Sequence, residues 1–226
     1  MTLPLLSCVE VDSHGPARGT VIWLHGLGAS GHDFEPLVPH LGLGDIRFVF
    51  PHAPQLAVTI NGGMVMPAWY DIRTLSRSPQ RESEQDIRSS ADRIGALIRR
   101  EGERGVPPER IVLAGFSQGA AMALHVGLRR HDPLLGLMIL SGYLVLEETT
   151  ATEWTEESAG VPVFCSHGTR DGVVPHERGR EAFERLAKEG RPSRWSDYRM
   201  MHEVCPEQVA DIATWLTERF DSLATP

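Results

Sequence analysis

The sequence predicts an α/β fold: a mostly parallel central sheet with helices on both faces. Three observations carry this. Apolar runs of strand length recur along the chain and are continuous rather than alternating, as strands buried on both faces require. Segments of helical period separate them. No linker-like stretch divides the 226 residues, so the whole chain, 1–226, is expected to form one domain.

Taken in order, strands are expected at 20–24, 46–50, 111–116, 137–141, 161–166 and 194–198. Helix 86–100 follows from a single stripe of Ile87, Ala91, Ile94, Leu97 and Ile98 with arginines and acids opposite, and Pro107-Pro108 stops any continuation. Small residues after position 119 read as a helix over 120–130, and a further helix is expected at 177–188. The last, 206–220, turns Val209, Ile212, Trp215, Leu216 and Phe220 inward and has Pro206 in its first turn. Residues 51–81 break the rhythm. Rich in Pro, Gly, Met and aromatics, they hold a hairpin-like Val-Thr-Ile/Met-Val-Met pair around Asn61-Gly62-Gly63, and so long a connection is usually functional.

Composition excludes several roles. Lys and Arg number 22 against 30 Asp and Glu, a net charge of -8, and the basic residues alternate with acids instead of forming a patch, so nucleic acid is not an expected partner. The first basic residue is Arg18 and Pro4 interrupts the short apolar start, so a secretory leader is not expected. No stretch is long enough to span a bilayer, and a cytoplasmic location is expected without stable membrane insertion. Cys8, Cys165 and Cys205 form neither a C-x-x-C pair nor an even framework, so neither structural zinc nor disulfides are expected. Cys205 is either plain packing or an oxidation-sensitive neighbour of His202.

Chemistry enters at Gly115-Phe116-Ser117-Gln118-Gly119. This is G-x-S-x-G between a strand and a helix, the context of a nucleophile elbow, in which a strained turn lifts the serine hydroxyl clear of the sheet. The bland alternative makes Ser117 a helix N-cap. A serine hydroxyl attacks only when a base takes its proton and an acid orients that base. Chain order in such folds puts both partners later, acid first. Asp171 lies just past the 161–166 strand, where open α/β sheets place their chemistry, although an Asp-Gly turn would also explain it. Of the ten histidines only His176 and His202 follow Asp171. His176 would have to double back from a helix start, whereas His202 sits between the last strand and the last helix. His202 is the expected base, and His125 is expected to pack within its helix. An oxyanion needs two donors: the N–H of Gln118, which follows the nucleophile, and one from the glycine-rich turn His25-Gly26-Leu27-Gly28, assigned to Leu27. In the irregular segment, Met64, Met66 and Trp69 either complete the core or line an acyl-binding groove.

Six blocks occur in order: LHGLGASGHDF, PHAP, NGGMVMPAWYDI, GFSQG, HGTRDGVVP and MHEV. With them the chain resembles the carboxylesterase and acyl-protein thioesterase family, also described as phospholipase/carboxylesterases, over roughly residues 17 to 218. The resemblance implies an α/β-hydrolase core without a large cap domain, which hydrolyses carboxylic or thiol esters without metal or cofactor; the expected substrate is a small-molecule ester or acyl thioester, of short to medium chain if the 58–70 segment lines an acyl groove. It also places the nucleophile at Ser117, the acid at Asp171, the base at His202 and the oxyanion donors at Leu27 and Gln118. A homodimer is compatible with this reading. One departure is Ala120, where the family often has a second glycine. The expectation from another class is a binding protein that uses the fold without turnover, since fold alone does not choose between them. A dienelactone-hydrolase-like enzyme or a dehalogenase is disfavoured by serine at 117.

Overall fold

The computed structural model describes residues 4–224 apart from 77 and 79, so residues 1–3 of the N-terminal run considered above lie outside the described residues. Nine strands are present among them: β1 (Cys8–Val11), β2 (Gly19–Leu24), β3 (Ile46–Pro51), β4 (Gln55–Val58), β5 (Met64–Pro67), β6 (Ile111–Phe116), β7 (Gly136–Leu140), β8 (Val163–Gly168) and β9 (Ser193–Tyr198). Seven form one sheet in the order β1-β3-β2-β6-β7-β8-β9, and β4 pairs with β5 separately. Every pairing in the large sheet is parallel except β1 with β3.

The continuous apolar runs bury both faces. Ile22 and Leu24 of β2 join Leu113 of β6 and Ile139 of β7 in one core, and Val21 and Trp23 join Val112, Ala114 and Met138 in the other. Among the described residues the α-helices are α1 (Val38–Leu41), α2 (Glu84–Glu103), α3 (Gln118–Gly127), α4 (Thr150–Glu153), α5 (His176–Lys188) and α6 (Pro206–Asp221). Side chains of α2, α3 and α5 fill the first core, and those of α1 and α6 fill the second. The 86–100 stripe is the inner face of α2, with Ile87, Ile94, Leu97 and Ile98 without exposed surface. No helix among the described residues is long and apolar enough to cross a membrane.

Three departures from expectation concern the strands. Strand β1 was not foreseen: it is a four-residue antiparallel edge, only partly buried, in which Glu10 interrupts the apolar run and pairs with Arg100 and Arg104. Strand β8 starts two residues later than expected and runs to Gly168; Pro162 has no N–H for the ladder, and its carbonyl accepts from Leu137 N–H. In the hairpin, Val58 pairs with Met64, so Thr59 and Ile60 belong to the connection and not to a strand. Asp71 explains this, because its carboxylate accepts from Thr59 N–H and Thr59 Oγ1–H, both at 2.7 Å.

Candidate active site

Ser117 joins β6 to α3 with φ 55° and ψ -119°, a conformation that non-glycine residues rarely adopt. The tight approach of β6, α3 and β2 explains the flanking glycines. A Cβ on Gly115 would lie 2.3 Å from Gly119 backbone, and one on Gly119 would lie 2.3 Å from Leu24 O. The Ser117 side chain makes no capping bond to its helix. Its Oγ–H donates instead to His202 Nε2 at 2.9 Å. Ala120 fits without crowding the elbow because Gly142 faces it; a Cβ there would be 2.7 Å from the Ala120 methyl.

His202 occupies the connection between β9 and α6, and its Nδ1–H donates to Asp171 Oδ2 at 2.6 Å. With Nδ1 donating, Nε2 keeps its lone pair for the Ser117 hydroxyl. The Phe116 ring, 4.7 Å away between centroids, packs against the imidazole. Asp171 follows β8. Its Oδ1 accepts from the Val173 and Val174 N–H groups at 2.9 and 2.8 Å, and His167 Nε2 lies 3.4 Å from Oδ2. Burial alone would raise the Asp171 pKa, but the hydrogen bonds from His167, His202 and the two amides outweigh it and hold the carboxyl far below the usual carboxylate range. His167 was not foreseen: it lies inside β8, and only the folded loop brings its ring beside Asp171.

His176 stands outside this group. It opens α5 and pairs with Asp197 Oδ1 at 2.6 Å. His125 is buried within α3. The Gly26–Leu27 turn abuts Ser117, since a Cβ on Gly26 would lie 3.4 Å from Ser117 Cβ. Neither the Leu27 nor the Gln118 N–H is engaged by another group among the described residues.

A cleft of about 480 Å³ opens at Ser117 and His202, with apolar walls from Leu27, Phe34, Leu37, Phe116, Val173 and Val204. Met64, Met66 and Trp69 are not among its lining residues. Met64 points to solvent at the hairpin end, 64% exposed. Met66 lies beside Gly28, where its Sδ would be 3.7 Å from an added Cβ, and accepts from Asn61 Nδ2. Trp69 has no exposed surface and belongs to the core, where its ring is enclosed and its indole N–H is satisfied by His25 O. Phe34 and Leu37 escaped sequence reading because they sit in a short irregular stretch and a 3₁₀ turn with no amphipathic stripe. Among the described residues no three His, Cys, Asp or Glu side chains converge to hold a metal.

The family model for Phospholipase/Carboxylesterase matches residues 7–219. The chain belongs to this family. It is 34% identical to Acyl-protein thioesterase 1 of Yarrowia lipolytica, covering 96% of this chain and 98% of that protein. Among solved structures it resembles Arabidopsis thaliana SOBER1, with TM-score 0.83 and 31% identity over 90% of this chain and 99% of that one. It also resembles Zea mays acyl-protein thioesterase 2, with TM-score 0.81 and 26% identity over 95% and 99%. This phospholipase/carboxylesterase is a hydrolase with the α/β-hydrolase fold.

Proposed function

We propose that the chain hydrolyses carboxylic esters and acyl thioesters of short to medium chain length through a covalent intermediate on Ser117. The observation that carries this reading is the hydrogen-bonded series Ser117–His202–Asp171 at the floor of an apolar cleft. Ser117 Oγ attacks the acyl carbon while its proton passes to His202 Nε2, and Asp171 stabilises the imidazolium that forms. Leu27 and Gln118 N–H groups donate to the oxyanion. Collapse of the adduct breaks the bond to the leaving alcohol or thiol, which takes the proton from His202. Water then gives a proton to His202 and attacks the acyl-serine; the second adduct releases the acid and returns the proton to Ser117.

The apolar walls hold the acyl chain. No cofactor or metal takes part in this sequence of steps. Ser117→Ala should leave only the residual ~10³–10⁴-fold enhancement over water that binding and oxyanion donors supply. A fluorophosphonate should form its adduct on Ser117. A folded Ser117→Ala protein that keeps more than roughly a tenth of wild-type turnover would overturn the reading, because loss of a nucleophile costs far more than tenfold. Absence of turnover in the wild type across an ester and thioester panel would favour the binding-protein alternative.

A further inference from the structure

The irregular segment that leads into α2 bonds to the Gly26–Leu27 turn from both sides. On one side Pro67 O accepts from Gly28 N–H at 2.8 Å. On the other, Trp69 Nε1–H donates to His25 O at 2.9 Å, and the two rings lie 5.5 Å apart. Trp69 is itself held at its backbone: its N–H donates to Gln118 Oε1 at 2.7 Å, and its carbonyl accepts from Ser90 Oγ–H at 2.6 Å. Gln118 Nε2–H donates to Tyr70 O at 2.8 Å.

Between these two anchors the peptide plane of Gly26 and Leu27 is also fixed. Ala53 N–H donates to His25 Nε2 at 3.0 Å, so Nε2 is the acceptor and Nδ1 carries the proton. That Nδ1–H donates to Gly26 O at 2.7 Å, and Ala29 N–H reaches the same oxygen at 3.3 Å. A trans peptide points its C=O and N–H in opposite directions. Holding Gly26 O therefore sets the direction of Leu27 N–H, on the other side of the plane. Burial pushes the His25 pKa down, which keeps the imidazole in the neutral form that this arrangement requires.

We infer that the 67–70 segment is a brace for the oxyanion donors, in which Trp69, His25 and the side chain of Gln118 are positioning residues for the Leu27 N–H. The inference rests on the proposed acyl-enzyme reading. Gln118 joins its two halves: its own N–H is one donor, and its side chain holds the tryptophan that secures the strand end before the other. A preorganised donor must already point to where charge develops, so a small loss of aim appears in the transition state and not in ground-state binding.

The test compares wild type, Trp69→Phe, Gln118→Met and Ser117→Ala on p-nitrophenyl butyrate, with folded sites counted by fluorophosphonate stoichiometry in the proteins that keep Ser117 and by thermal unfolding in Ser117→Ala. It also measures Ki for an alkyl trifluoromethyl ketone, whose serine adduct carries the same oxyanion. Trp69→Phe keeps the apolar ring and loses the indole N–H. The expected result is a fall in kcat of about ten- to a hundredfold, below the ~10²–10³ typical of removing a donor outright, with KM within about twofold. Ki should rise by the factor that kcat/KM falls, since both read transition-state binding. Gln118→Met should move both quantities in the same direction. A merely structural tryptophan would lower Tm while leaving kcat per folded site and Ki at wild-type values, and that result overturns the inference. A loss confined to KM with unchanged Ki does so too. If Trp69→Phe fails to fold, Gln118→Met decides on the same two readouts. Turnover surviving in Ser117→Ala is a separate outcome that removes the acyl-enzyme reading itself.

Discussion

Ser117 combines two requirements at one position. Its positive φ costs roughly 1–3 kcal/mol and is sustained by surrounding structure; Ser117 N–H, for instance, donates to Leu140 O of the adjacent strand. In return Oγ projects toward His202 and not back onto its own helix. The two histidines after Asp171 then make opposite predictions. His202→Ala should be as inactive as Ser117→Ala, because no other imidazole among the described residues bonds to Oγ. His176→Ala should stay within about twofold of wild type, since it removes a partly exposed pair with Asp197, and such pairs contribute little. Steady-state kinetics of both variants check this, and a reversed ranking would refute the assignment of the base.

The ends of the elements divide the work. At the C-terminal ends of β6 and β8 lie Ser117 and Asp171, whereas the N-terminal ends of β2 and β3 are tied to α2 by a fully buried carboxylate. Glu101 accepts from Thr20, Arg47, Arg100 and Arg104 at 2.9 to 3.0 Å. Glu101→Ala leaves the buried Thr20 hydroxyl without its acceptor, while Arg47, Arg100 and Arg104 keep Asp12 and Glu10 as partners, and should cost about 1–3 kcal/mol in urea unfolding. Turnover per folded molecule should be unchanged, because the site lies at the opposite end of the strands. The hairpin and the cleft give a second contrast. Each acyl CH₂ buried against Phe34, Leu37 and Val204 is worth ~0.8 kcal/mol, so kcat/KM should rise roughly a decade from acetyl to butyryl ester. Leu37→Ala should flatten that rise and Met64→Ala should leave it intact; the reverse pattern would return the groove to the hairpin.

For the molecule as a whole, pH acts through groups that folding holds away from their ordinary protonation. His125 is buried in α3, and burial, reinforced by the nearby Arg129 charge, pushes its pKa down to about 3. Above about pH 6.5 neither folded nor unfolded chain protonates it. As pH falls below that, only the unfolded chain gains the proton, so stability drops by up to about 1.4 kcal/mol per pH unit until the folded pKa is reached. Glu153 adds to this at lower pH: despite partial burial, Arg129, Arg88 and Thr149 hold it at about 2, so its contribution is lost as pH falls from the ordinary carboxylate range toward 2. Denaturant titrations at pH 7, 5.5 and 4.5 should show a steep decline in wild type and a shallower one in His125→Gln. His25, which burial also shifts down, contributes to the remaining slope along with the carboxylates held low by their partners.

What the sequence by itself determined is whatever depends on local pattern. Continuous apolar runs identify strands buried on both sides, and β6 falls on Ile111–Phe116 as expected because it lies at the sheet centre with helices over each face. G-x-S-x-G between strand and helix is legible for the same reason: the glycines answer a clash between neighbouring elements, and the order Ser117, Asp171, His202 follows from the order of strands. Periodicity reports that a side chain is buried, but not against what. Trp69 reads equally as groove or core until the fold sets its indole on His25 O, 44 residues earlier in the chain. The cleft walls are likewise gathered from the 26–37 stretch, the elbow, the Asp171 loop and the turn before α6. Those neighbours are chosen by the sheet order, which brings residues far apart in sequence to one edge. Only the tertiary structure decided them.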